Sequence, residues 1–487
     1  MKKKGKLSLV SFFALTAAMV MTVYEYPTFA SSKLHLVIFL LIAGFLWFIP
    51  VALCSAEMAT VEGWEKGGLY TWVSKTLGEK WGLAAIFFQW FQVTVGFITM
   101  IYFIVGALSY ALNWPALNTN VGLKLAATLI IFWLVSFSQL GGTKNTAKIA
   151  KIGFFGGVLA TGAILFGLGI AYIVQGNPIQ IDLSIKSFIP DFTKISTLVV
   201  FVSFILAYAG IESSASHVKD MENPSRDYPK AIVMLVITAI VVDTLGGLSV
   251  AAVIPQSQLS LNAGVVQTFK FLILHFGGSE WIVRIIALVL CVGVIAEIAA
   301  WVVGPSTALL EAAENGLMPK KLAKTNKHDV PVNIIFVQGI VVSIWAVVLT
   351  LGGGGANLSF FVAMALTVVI YLLAYFLLFL SYINLVKHKK ELKRGYTLPG
   401  GEKTKIGIAL LGLIVSVFAF VISFVPPTGL GGSHAAYLTI LIVCAVIMAA
   451  VPFIIYYTYS RHHLSNQEAT KMIQDKKIQS QQQSINH

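Results

Sequence analysis

Charge is scarce in this sequence. Of its 487 residues only 11% are charged, where soluble domains carry about 25%. With 57% hydrophobic residues and a mean hydropathy of +0.83, an ordinary water-soluble domain is excluded. Cysteine is equally sparse. Cys54, Cys291 and Cys444 all lie in apolar runs, which argues against a disulfide framework or a metal site and for small hydrophobes in helices. Catalytic clusters are missing too: there is no H-E-x-x-H, no paired Cys/His set and no G-x-S-x-G, so a membrane enzyme has little to work with. The glycine run Gly352-Gly353-Gly354-Gly355 lacks a following Lys-Ser/Thr. It reads as a tight external turn, not a phosphate-binding loop. No cofactor is implied.

What is present is a series of apolar runs long enough to cross a bilayer, at about 20 residues per helix. Twelve are predicted: Leu7–Ala30, Leu34–Ser55, Gly82–Leu112, Val121–Leu140, Ile149–Val174, Ile195–Ser214, Ala231–Ile254, Trp281–Glu311, Val332–Leu351, Leu358–Leu385, Ile406–Val425 and Ala435–Tyr457. The twelve-residue run Val265–Phe276 is too short to cross and reads as a re-entrant or surface helix. Lys2-Lys3-Lys4 before an apolar stretch, with Thr28-Phe29-Ala30-Ser31 after it, imitates a cleaved leader. Yet Tyr24, Glu25, Tyr26 and Pro27 interrupt the second half of that stretch, as a discontinuous transport helix would.

The net charge of +13 could suggest nucleic acid, but its placement speaks for topology. With the N-terminus inside and twelve spans, 28 Lys and Arg fall on the inner side and 6 on the outer: Lys33, Lys124, Lys186, Lys194, Lys270 and Arg284. That asymmetry follows the positive-inside rule, places both termini in the cytoplasm and requires no nucleic acid. Short loops leave no extramembrane domain. The expected layout is a cytoplasmic N-tail 1–6, a transmembrane body 7–460 and a polar, disordered C-tail 461–487.

Four acids fall well inside spans: Glu25, Glu212, Asp243 and Glu297. A carboxylate at that depth costs about 2.5–3.5 kcal/mol on insertion scales, so it needs a partner, a proton or a cavity. Glu212 stands in Gly210-Ile211-Glu212-Ser213-Ser214-Ala215-Ser216-His217, where small residues favour a helix break between Gly210 and Ser214. Glu297 is followed four residues later by Trp301, so an acid and an indole share one helix face, and Gly304-Pro305 is expected to bend that helix. Such a face suits a ligand with an ammonium and an apolar stem. Tyr371 and Tyr375, four apart, share one face of the tenth span; packing is the plainer reading, and a polar cavity that partners their hydroxyls is the functional one. Glu25 sits beside Pro27 in another broken helix, and Asp243 has no evident partner; both are candidate proton sites. His217 is a candidate pH sensor, with an ordinary solvated loop histidine as the plainer reading. Spans one and six lie five apart, the spacing of a five-plus-five inverted repeat whose broken helices meet at the membrane midplane. Their exposed ends offer N–H groups to a carboxylate and carbonyls to a cation, and an amino acid zwitterion presents both. A channel is the poorer reading, because scattered acids do not make a ring.

Several stretches in the same order resemble one family. They are Tyr24-Glu25-Tyr26-Pro27-Thr28-Phe29, Ala56-Glu57-Met58-Ala59-Thr60-Val61, Gly141-Gly142-Thr143-Lys144, Gly210-Ile211-Glu212-Ser213-Ser214-Ala215 and Ala296-Glu297-Ile298-Ala299. The likeness, from about Leu7 to Tyr457, is to the bacterial glutamate/γ-aminobutyrate antiporters of the amino acid–polyamine–organocation superfamily. It implies an all-α polytopic membrane protein of twelve transmembrane helices, with repeats at about 7–174 and 195–385 and two further helices at about 406–457. It implies exchange of outside glutamate for inside γ-aminobutyrate across a bacterial cell membrane, favoured at acidic pH, contributing to acid resistance and coupled to a cytoplasmic glutamate decarboxylase. The substrate pathway it implies matches Tyr24, Glu212, Glu297, Trp301, Tyr371 and Tyr375. The alternative is a proton-coupled symporter or an exchanger for another amino acid. The tail ending at His487 departs from relatives with a longer His- and Arg-containing plug, and Asp243 has no counterpart in the family pattern.

Overall fold

The computed structural model describes residues 7–64, 68–351, 355–426, 434–435, 437–439 and 441–459. The N-tail, the glycine turn at 352–354 and the C-tail lie outside the described residues. A bilayer offers backbone groups no water, so apolar segments must pair their own N–H and C=O groups and become helices. Among the described residues there is no sheet, only isolated bridges joining Leu7 to Met221 and Val61 to Arg394.

In chain order the helices are α1 Leu9–Val20, α2 Tyr26–Ala30, α3 His35–Ala59, α4 Glu79–Ala111, α5 Val121–Gly141 and α6 Thr143–Val174. Then come α7 Ile195–Leu206, α8 Pro224–Val253, α9 Glu280–Glu314, α10 Val332–Leu351, α11 Gly355–His388, α12 Glu402–Ile422 and α13 Tyr437–Tyr459. Among the described residues ten helices are long and apolar enough to span a membrane. The first and sixth crossings are interrupted, which brings the total to twelve. The short helix Gly264–His275 is largely buried and packs on α8 and α9.

Both interruptions have local causes. In the first crossing Ser8 caps α1 by accepting from the Ser11 N–H at 3.3 Å, helix ends at Val20, and Pro27 in the first turn of α2 restarts it. Proline lacks the donor an unbroken helix would need and disfavours helix at Tyr26. In the sixth, α7 stops at Leu206, and Gly210 turns the chain at φ +115° into a tight 3-10 segment, Ile211–Asp220. The break therefore falls at Ala207–Gly210, one turn earlier than the Gly210-to-Ser214 expectation. The left-handed glycine, not the serines, dictates where helix ends. The expected bend at Gly304-Pro305 leaves α9 unbroken from Glu280 to Glu314.

α4 is buried nearly throughout and packs against α9 and α11, forming the centre of the bundle. α6 and α9 approach backbone to backbone: a Cβ added at Gly157 would sit 2.4 Å from the Gly293 Cα. Small residues permit that contact between membrane helices. Large apolar side chains such as Ile130, Leu134, Ile237 and Ile414 point outward, as a lipid-facing surface requires. Cys54, Cys291 and Cys444 are free thiols.

Candidate substrate site

The two interruptions meet. Val20, Thr22, Tyr24 and Glu25 from the first crossing, and Ala207 and Ala209 from the sixth, line one narrow cavity. α4, α9 and α11 close its other sides. Broken helices leave unpaired backbone groups, which a membrane protein tolerates only beside a cavity or within protein. The opposed half-helix ends also carry partial charges of both signs.

Four of the six predicted pathway residues line this cavity: Tyr24, Glu297, Trp301 and Tyr371. Glu297 and Trp301 share the face of α9 that their spacing predicted. The indole is held in place, since Trp301 Nε1 donates to the Met19 carbonyl at 2.9 Å, satisfying an oxygen left open where α1 ends. Its ring meets Tyr371 edge-on at 6.1 Å. Gly210 is required beneath it, because a Cβ there would lie 2.6 Å from Trp301 Cζ2.

The other two, Glu212 and Tyr375, stand behind the lining. Glu212 is 1% exposed and its carboxylate accepts three bonds. Gln89 Nε2 donates to Oε1 at 2.7 Å, the Tyr371 hydroxyl donates to the same oxygen, and Tyr375 donates to Oε2 at 2.7 Å. The Tyr375 oxygen in turn accepts from the Gly210 N–H at 2.8 Å. Glu212 thus ties α4, α11 and the break in the sixth crossing into one network, and Tyr371 alone of its partners reaches the cavity. Charge-assisted bonds of this kind are roughly twice as strong as neutral ones.

Of the candidate proton sites, Glu25 lines the cavity and its Oε2 has no hydrogen-bond partner among the described residues. Asp243 is 2% exposed on α8 and is not among the residues lining the cavity. His217 departs from the solvated-loop reading. It lies in the 3-10 segment, is 1% exposed, and has the Asp220 carboxylate 3.8 Å from Nδ1. The segment turns inward instead of leaving the bundle, and that buries the ring.

Sequence reasoning passed over the polar side chains of α4. Gln89, Gln92, Gly96 and Thr99 follow at i, i+3, i+7 and i+10, one face of a helix. Gln92, Gly96 and Thr99 line the cavity, and Gln89 holds Glu212. Their helical spacing inside an apolar run was the available signal. Gln92 Nε2 is buried without a partner among the described residues. Among the described residues no group of His, Cys, Asp and Glu could hold a metal ion.

A cavity between two interrupted helices, with carboxylates, an indole and tyrosines around it, defines a secondary transporter of inverted-repeat design. Residues 7–448 match the family model described as amino acid permease, and this chain belongs to that family. It is 59% identical over 453 residues to a glutamate/gamma-aminobutyrate antiporter of Lactococcus lactis subsp. lactis, covering 93% of this chain and 90% of the relative. A protein of the same description from Lactococcus lactis subsp. cremoris is 58% identical over the same shares. An uncharacterized transporter of Legionella pneumophila is 31% identical, over 87% of this chain and 90% of the relative.

Proposed function

We propose that this chain exchanges extracellular glutamate for intracellular γ-aminobutyrate by alternating access in a bacterial cell membrane, with both termini in the cytoplasm. The observation that carries the reading is a pair of buried polar atoms at one cavity that have no hydrogen-bond partner among the described residues. Glu25 Oε2 is an acceptor for an ammonium and Gln92 Nε2 is a donor for a carboxylate. Buried polar groups are otherwise almost always hydrogen-bonded, so the two mark where a substrate completes the structure. Trp301 and Tyr371 supply apolar walls for the stem between the charged ends. The names of the two lactococcal relatives favour glutamate and γ-aminobutyrate among the amino acids this chemistry would accept.

The same geometry favours acidic conditions. Glu25 and Glu297 both face the cavity, and a glutamate carrying two carboxylates would add a net negative charge beside them. Protonated glutamate and zwitterionic γ-aminobutyrate add none. In this reading Glu297 and Glu25 select substrate charge, Glu212 and Tyr375 hold Tyr371 in place, and Tyr24 forms part of the cavity wall. Exchange would remove acid from a cell whose cytoplasmic decarboxylase consumes a proton in making γ-aminobutyrate, which contributes to acid resistance. In this reading the repeats 7–174 and 195–385 rock against one another around this fixed site.

The test is counterflow. Purified protein is reconstituted into vesicles loaded with γ-aminobutyrate, and radiolabelled glutamate is added outside at pH 5 and pH 8. Uptake that depends on internal γ-aminobutyrate and is strong only at pH 5 is expected. Equal uptake into empty vesicles would make the chain a symporter instead, and saturation by a different internal amino acid would reassign the substrate.

A further inference from the structure

Glu57 lies at the end of α3, far along the bundle from the cavity, and nothing in the exchange reaction uses it. It is 0% exposed and collects an unusual set of partners. Arg394 Nη1 donates to Oε1, and Lys405 Nζ of α12 donates to the same oxygen at 3.0 Å. The Tyr382 hydroxyl and the Leu398 N–H donate to Oε2 at 2.8 and 2.9 Å. Arg394 also donates to the Lys389 carbonyl at 2.9 Å, just past the end of α11. The loop is laced to α3 as well, with the Tyr396 N–H on Thr60 Oγ1 at 3.0 Å and the Gly395 N–H on the Thr60 carbonyl at 2.8 Å.

Tyr382 belongs to the same helix as Tyr371 and Tyr375. At 100° per residue, positions 371, 375 and 382 fall within about 40° of one another, and 371 and 382 are about 16 Å apart along the axis. One tyrosine stripe therefore donates to two buried carboxylates: Tyr371 and Tyr375 to Glu212 at the cavity, and Tyr382 to Glu57 at the far end. A helix pinned at both points cannot turn freely. Rotating α11 by about 20° would move a tyrosine oxygen, roughly 10 Å from the axis, by about 3 Å, more than a hydrogen bond tolerates.

We propose that Glu57, with Arg394, Lys405 and Tyr382, is a positioning cluster that sets the rotation of α11 and so places Tyr371 and Tyr375 on Glu212 in the exchange site. The proposal rests on the reading that these tyrosines serve that site. Buried charge clusters of this kind contribute little net stability compared with apolar packing, and registry is their best-attested use.

The experiment is a double-mutant cycle in reconstituted vesicles, reading KM and maximal rate of exchange, with the thermal midpoint of the purified protein alongside. Tyr382→Phe removes one hydroxyl and leaves Glu57 three partners. Tyr382→Phe and Tyr375→Phe are each expected to raise KM about tenfold, the size of one lost charge-assisted bond. The double variant is expected to stay near tenfold, because both changes release the same helix. If Tyr382→Phe does not reconstitute, the cycle is run with Arg394→Lys, which keeps the charge and loses the fork onto the Lys389 carbonyl. An unchanged KM in the single variant, or KM effects that multiply to about a hundredfold in the double, overturns the proposal, whatever happens to the thermal midpoint. A wild-type protein that does not exchange glutamate for γ-aminobutyrate overturns the functional reading only, and the cycle is then run with the amino acid it carries.

Discussion

Gly210→Ala places a single methyl group where the sixth crossing breaks. Two costs arise. The backbone sits at φ +115°, in the left-handed region that L side chains rarely adopt, and such strain costs about 1–3 kcal/mol. The added carbon would lie 2.6 Å from Trp301 Cζ2 and 2.9 Å from Cη2. The indole cannot swing aside cheaply, since it is buried and anchored through Nε1 on the Met19 carbonyl. Displacing it leaves a buried donor unpaired, for about 1–3 kcal/mol more. The sum is roughly 2–6 kcal/mol, large beside the usual surface substitution. Purified Gly210→Ala protein should unfold several degrees below wild type in a thermal-shift assay and show a raised KM for exchange. Gly156→Ala is the control, with no atom within 4 Å of the added carbon, and should leave both unchanged. A Gly210→Ala protein with wild-type midpoint and KM would refute the claim that the break fixes the indole.

Glutamate uptake by γ-aminobutyrate-loaded vesicles should fall several hundredfold between pH 5 and pH 8 if only the form with a protonated side chain is admitted, given a carboxyl pKa of about 4.3; equal rates would sink charge selection. Glu297→Gln removes a charge that faces the cavity, so it should flatten that pH profile. Glu212→Gln should raise KM through the loss of one tyrosine bond, about tenfold, and leave the profile's shape alone; a flattened profile in Glu212→Gln would instead put Glu212 in the cavity's field. Gln92→Leu should weaken binding of both substrates about tenfold or more without lowering the thermal midpoint, because the lost donor has no hydrogen-bond partner among the described residues; isothermal titration checks this.

The spans were legible because they answer to local rules. Hydropathy and length require helix in a bilayer. Pro27 and Gly210 punctuate the chain wherever they occur, so both interruptions could be anticipated, as could the shared face of Glu297 and Trp301. Partnership answers to no local rule. Gln89 and Glu212 are 123 residues apart, and Arg394 and Glu57 are 337 apart; no spacing brings them together. The sequence by itself therefore determined the crossings and which acids would be costly. Only tertiary packing decided that Glu212 is saturated behind the lining while one Glu25 oxygen has no hydrogen-bond partner among the described residues, that His217 is buried, and that Glu57 gathers two cations. A buried charge is settled by whatever donors the neighbouring helices present, and neighbours in a bundle are not neighbours in the chain.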